Sequence, residues 1–260
     1  MKGHIDMSDS PGQSAIITGG GRGIGLAIAR AFVKEGIAVT ITDIDQGALD
    51  TARKELESTV TGARVMPILS DAKDPAGATE VVRLTVDEFG RLDILVNNAQ
   101  QFNASKPLIE LTAEDFATAY ESGVFATWRY MVAAYPHLKA TKGTVINMGS
   151  GAGVMAQPQQ GAYGSNKEAI RGLTRIAARE WGCDDITVNA ISPRVHSIES
   201  ERFLREYPDQ VAEVLKSSAL GRFGDPEVNV GGTCVFLASP AGKFMTGATL
   251  EVNGGGAIRP

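Results

Sequence analysis

Three residue types that together handle protons and oxygen occur at short spacing in this chain. Tyr163 and Lys167 lie four residues apart in Tyr-Gly-Ser-Asn-Lys, and Ser150 lies thirteen residues before the tyrosine. Four residues is about one helical turn, so both side chains leave one face of a helix. A lysine ammonium beside a phenol favours the phenolate, because an opposite charge stabilises the charged form. A phenol, with an ordinary pKa of about 10, can then exchange protons closer to neutral pH. The Ser150 hydroxyl can hold a substrate oxygen. That chemistry fits reduction of a ketone or oxidation of an alcohol, provided the chain also binds a hydride carrier.

The N-terminal third supplies the second half of that requirement. Thr18-Gly19-Gly20-Gly21-Arg22-Gly23-Ile24-Gly25 follows a predicted strand and opens a predicted helix. Glycines let the backbone approach a pyrophosphate, and a helix N-terminus offers free N–H groups and a favourable dipole. Asp43 stands at the end of the second predicted strand, eighteen residues past Gly25. A carboxylate there accepts both adenosine ribose hydroxyls and repels a 2′-phosphate, which favours NAD over NADP. Arg22 pulls the other way if it meets a phosphate. Otherwise it is a solvated loop arginine.

The elements that must position these residues alternate along the chain. Strands are predicted at 14–18, 37–42, 64–69, 92–97, 143–148, 186–191 and 249–252. Helices are predicted at 24–35, 46–58, 75–89, 113–138, 160–181 and 227–237. Strands alternating with helices imply a parallel sheet covered on both faces, and right-handed crossovers make it doubly wound. The expected fold is therefore an α/β, Rossmann-type, three-layer sandwich with about seven strands. One domain is expected over residues 13–260, after a disordered polar tail at 1–12. The stretch 194–223 departs from the alternation and carries Phe203, Leu204, Tyr207, Val211, Val214 and Leu215 at near-helical spacing. At the carboxyl end of a strand it is a candidate substrate lid, or else surface packing or a subunit contact.

Composition narrows the function classes. Of 260 residues, 43% are hydrophobic and 21% charged, the profile of a soluble globular protein. The formal net charge is −5 and no basic stripe is present, which argues against a nucleic-acid partner. Cys183 and Cys234 form no CxxC pair, so neither a metal site nor a disulfide framework is expected. A reduced, cytoplasmic setting fits this cysteine usage. No secretory h-region and no long apolar run is found, so no membrane association is expected.

Together these motifs resemble the short-chain dehydrogenase/reductase family, from Thr18 to Gly255. Thr18-Gly-x-x-x-Gly23-x-Gly25 resembles its cofactor loop, with Gly19, Gly21, Arg22 and Ile24 inside it. Asp71 after the third strand looks like the residue that touches adenine, and Ala72 after it counts among the expected cofactor-binding residues. Asn97-Asn98-Ala99 resembles the family's Asn-Asn-Ala-Gly segment, and Pro193 the proline of its Pro-Gly motif. Ser150, Tyr163 and Lys167 fall at the catalytic spacing. The resemblance implies that Tyr163 gives or takes the proton on the substrate oxygen and Ser150 hydrogen-bonds that oxygen. Lys167 holds the nicotinamide ribose and keeps the tyrosine acidic. It also implies a homotetramer or homodimer.

Three positions depart from the family pattern. Tyr120 stands where a relay asparagine is expected, and either binds water itself or packs between helices. Gln100 replaces the glycine after Ala99, and either contacts substrate or turns to solvent. Arg194 replaces the glycine after Pro193 and brings charge to the pocket mouth, with His196 nearby. The expected function is hydride transfer between NAD(H) and a small-molecule secondary alcohol or ketone. The alternatives are an NADP-dependent 3-oxoacyl reductase and a weakly catalytic dinucleotide-binding protein.

Overall fold

A computed structural model describes residues 12–102, 105–196, 215–216 and 218–257. The seven strands are β1 (Ser14–Thr18), β2 (Ala38–Asp43), β3 (Val65–Leu69), β4 (Ile94–Asn97), β5 (Thr144–Met148), β6 (Thr187–Pro193) and β7 (Thr249–Val252). They form one parallel sheet in the order β3-β2-β1-β4-β5-β6-β7. Successive strand side chains point to opposite faces, so each strand feeds two cores. In β1, Ala15 and Ile17 pack on one face with Ile28, Phe32, Leu49 and Cys234. Ile16 packs on the other with Val81, Tyr130, Leu138 and Val188. Apolar residues on both faces explain why the strands read as continuous hydrophobic runs.

The first face is covered by α1 (Gly23–Lys34), α2 (Gln46–Thr59) and, late in the chain, α8 (Gly232–Ala238). The second is covered by α3 (Gly77–Phe89), α5 (Ala126–Thr141) and α7 (Gly161–Trp181). The chain turns back at the β1–β4 neighbourhood, where the strand order reverses. In open parallel sheets a ligand crevice lies outside the carboxyl ends of the strands at that switch point. The glycine loop follows β1 there, and Asn98-Ala99 follows β4.

The expected helix over 113–138 is corrected to three pieces. α4 (Ala113–Tyr120), capped by Thr112 and Asp115, runs into a π-helical turn at Glu121–Phe125 before α5 begins. The late helix likewise opens with a π-helical turn at Pro226–Gly231. A four-residue helix, α6 (Gly151–Val154), follows Ser150 and has no counterpart in the sequence pattern. Residues 197–214 and 217 of the expected lid, and residues 1–11 of the expected tail, lie outside the described residues. No described helix is long and apolar enough to cross a membrane.

Candidate active site

The cofactor loop is built from glycines for reasons of space. Gly19 and Gly23 have positive φ, of 64° and 56°, which side-chain-bearing residues rarely adopt. A Cβ on Gly25 would lie 2.1 Å from the Gly19 carbonyl oxygen, and one on Gly21 would lie 2.8 Å from Asp43 Oδ2. The first turn of α1 carries no acidic residue, and Arg22 at its N-cap makes no side-chain cap. Its free N–H groups thus keep their attraction for an anion. This cradle fits a dinucleotide pyrophosphate.

Threonine and asparagine tie the loop to β4. Thr18 Oγ1 accepts from the backbone N–H groups of Asn98 and Ala99, both at 3.0 Å. Asn98 Nδ2 donates to the carbonyls of Thr18 (2.9 Å) and Gly19 (3.1 Å). Asn97 reaches the next strand, donating to Asn147 Oδ1 at 2.8 Å. Asp43 ends β2 and is buried. Arg22 Nη2 lies 3.4 Å from both Asp43 and Asp45, and Arg22 is half exposed. Ile24 is partly buried and packs against the core of the first face. An open cleft of about 710 Å³ runs past Gly21, Arg22, Gly23, Asp45 and His196. Its wall continues along Leu26 and Arg30 of α1 and Gly47, Ala48 and Thr51 of α2, and includes none of Ser150, Tyr163 and Lys167. Asp71 and Ala72 follow β3, with Asp71 exposed and accepting from the Lys73 N–H at 2.9 Å.

Ser150 follows the carboxyl end of β5, and Lys167 of α7, with Tyr163 beside it, reaches that end by bonding the Met148 carbonyl. Ser150 caps α6, its Oγ accepting from the Ala152 N–H at 3.1 Å. One lone pair is thereby used, and the hydroxyl proton can be donated to a substrate oxygen. Close packing of α6 on α7 fixes this approach, since a Cβ on Gly153 would lie 2.7 Å from the Gly164 carbonyl. Between the two helices, Ala156 and Gln159 take positive φ, an uncommon conformation for such residues that clusters at functional sites.

Tyr163 stands in the first turn of α7, and Lys167 follows one turn later. Lys167 Nζ lies 5.6 Å from the Tyr163 ring centroid and donates to the Met148 carbonyl at 3.0 Å. Lys167 is buried, and burial pushes its ammonium down to about 8. A charged ammonium at neutral pH favours the phenolate of its neighbour, while the same desolvation lets the charge be lost in mildly basic solution.

The remaining sequence candidates divide. Gln100 turns inward, and its side-chain amide joins the turn after α4 to α7. Tyr120 has its ring 6.2 Å from that of Phe116, one turn earlier on α4. Pro193 ends β6. The Arg194 N–H donates to Val252 of β7 at 2.9 Å, and its guanidinium lies over Gly256, where a Cβ would come within 2.2 Å of Nη1. His196 is exposed, its ring 5.2 Å from that of Phe223.

Two site residues escaped the sequence reading. Phe102 places its ring edge-on to Tyr163 at 5.0 Å while remaining more than half exposed, so it walls the space above the phenol. Only its position shortly after Asn-Asn-Ala could have flagged it. Asn166 is fully buried and meets both Gln100 and Val124. It was visible as the residue before Lys167, but its partners are far away in sequence.

Comparison with known proteins shows which family the chain belongs to. The family model described as enoyl-(acyl carrier protein) reductase matches residues 19–256. A 12alpha-hydroxysteroid dehydrogenase from Clostridium sp. is 42% identical over 255 residues, covering 96% of this chain and 98% of that protein. The chain belongs to the short-chain dehydrogenase/reductase family. Within it, a 3alpha-hydroxysteroid dehydrogenase from Mediterraneibacter gnavus is 34% identical, covering 92% of this chain and 95% of that one. A blue fluorescent protein from a metagenomic library, solved in complex with NADPH, superposes with a TM-score of 0.87 at 31% identity. That match covers 95% of this chain and 99% of the solved one. As a member of this family the chain is an oxidoreductase acting on CH–OH groups, with a site for NAD(P).

Proposed function

We propose that the chain interconverts a secondary alcohol and a ketone on a bulky alicyclic substrate, using NAD(H), with Tyr163 as acid and base. The placement of Tyr163 and Lys167 one turn apart on α7, with Lys167 bonded to the Met148 carbonyl two residues before Ser150, carries this reading. Ser150 donates a hydrogen bond to the substrate oxygen and orients it. In the oxidation direction the Tyr163 phenolate takes the proton of the substrate hydroxyl; in reduction the phenol returns it. The Lys167 ammonium keeps the phenolate accessible. The nicotinamide supplies the hydride acceptor or donor, and Thr18–Gly25 with Asn98 and Ala99 would hold the dinucleotide.

The substrate class is supported from two sides. Phe102 presents exposed apolar surface against Tyr163, Met155 presents more at the end of the helix that Ser150 caps, and Leu108 does so beside Gly161, two residues before Tyr163. Two relatives are named as hydroxysteroid dehydrogenases. Hydroxysteroids offered with NAD should raise the NADH absorbance band. Turnover of sugars or short alcohols with none on hydroxysteroids would reject the substrate class.

NAD preference rests on Asp43, which faces Gly21 from the end of β2. Asp43→Ala should lower kcat/KM for NAD by roughly ten- to a hundredfold, the loss expected when a charged hydrogen-bond acceptor is removed. A second reading, in which NADP is accepted, is supported by the half-exposed Arg22 guanidinium beside Asp43. In that case Arg22→Ala would depress NADP use and leave NAD use unchanged.

A further inference from the structure

Gln100 and Asn166 connect two backbone groups, five residues apart, that an α-helix does not bond to each other and a π-helix would bond directly. Gln100 Nε2 donates to the Ala119 carbonyl at 3.2 Å and to Ser122 Oγ at 3.1 Å. Its Oε1 accepts from Asn166 Nδ2 at 2.8 Å. Asn166 Oδ1 then accepts from the Val124 N–H, also at 2.8 Å. The carbonyl of Ala119 and the amide of Val124, five residues on, are therefore bridged by two side-chain amides. Five is the π-helical spacing, and the bridge sits across the Glu121–Phe125 turn. Gly123 makes the room: a Cβ there would lie 2.2 Å from Asn166 Nδ2. Both amide orientations are fixed by their partners, because turning either one would set acceptor against acceptor or donor against donor.

The bridge has functional elements at both ends. Gln100 follows Asn98 and Ala99, which hold Thr18 at the mouth of the cofactor loop. Asn166 precedes Lys167, whose ammonium is anchored on Met148. We propose that Gln100 and Asn166 are a pair of positioning residues that lock the helix of Tyr163 and Lys167 in register with the cofactor loop. This rests on the reading of Tyr163 and Lys167 as the proton-handling groups. Without the bridge, water reaches the buried polar groups beside Lys167, its desolvation relaxes, and its ammonium persists to higher pH.

A double-mutant cycle with a pH profile tests the pair. Gln100→Ala and Asn166→Ala should each lower kcat about tenfold, and the double variant should be no worse than either single one, the signature of coupled residues. The basic limb of the kcat profile should move upward in Gln100→Ala, while cofactor affinity measured by fluorescence titration stays within about threefold of wild type. Hydrogen exchange at the Val124 amide should accelerate by about tenfold or more in the same variant. That readout needs no turnover, and Gln100 is partly exposed, so this variant tolerates truncation even if Asn166→Ala misfolds. Wild-type Val124 exchange and an unmoved pH limb in an active Gln100→Ala enzyme would overturn the proposal, as would multiplicative losses in the cycle. A wild-type chain that binds cofactor but transfers no hydride sinks the reading of the site instead, and the catalytic role of the pair with it.

Discussion

At the residue scale, Lys167 has two consequences that can be separated. Its ammonium is brought from an ordinary 10.5 down to about 8 by burial, so between those values the unfolded chain binds more protons than the folded one. Folding stability contributed by this group therefore rises with pH across that window, and the charged lysine is a burden below it. Lys167→Met should abolish turnover yet raise Tm at pH 7 by about 2–4 °C or more. That advantage should shrink between pH 8 and 10.5, as read by thermal melts. A Tm difference that stays constant across this window would contradict the account. The identities of Ser150, Tyr163 and Lys167 were legible in the sequence because their spacing is local. Phe102 and Asn166 were not, because what makes them matter is a ring or an amide contributed from another element.

At the element scale, the glycine loop shows why spacing alone was informative. Gly25 packs against the Gly19 carbonyl so closely that no side chain fits, and the sequence displays that need as glycines in a strand-to-helix context. Gly25→Ala should lose cofactor affinity by an amount measurable in titration. It should also destabilise the fold by about 1–3 kcal/mol in denaturant unfolding, the usual cost of forced overpacking. A variant with wild-type affinity would show that the loop does not approach the cofactor. The seven strands were legible because their apolar runs and the intervening helical periods differ. The π turn at Glu121–Phe125 was hidden, since the apolar pattern passes through it unbroken and the bridging amides come from Gln100 and Asn166. α6 was hidden because four residues are too few to show a period.

At the scale of the whole molecule, the second face of the sheet leaves apolar surface on its outer helices. Trp128 and Val132 on α5 and Ile176 on α7 are each at least half exposed, and with Tyr135, Leu173 and Trp181 they line a groove of about 300 Å³. We propose this face of α5 and α7 as one contact of the expected homo-oligomer. Trp128→Glu with Ile176→Glu should shift sedimentation from tetramer or dimer toward monomer, and a monomeric wild type would contradict it. The proposed reaction depends on one proton transfer at Tyr163. Its most direct test compares wild type with Tyr163→Phe, following NADH absorbance with a hydroxysteroid and NAD while titrating cofactor separately. Turnover is expected in the wild type and its loss in Tyr163→Phe, with cofactor affinity retained in both. Equal turnover in the two proteins would contradict it.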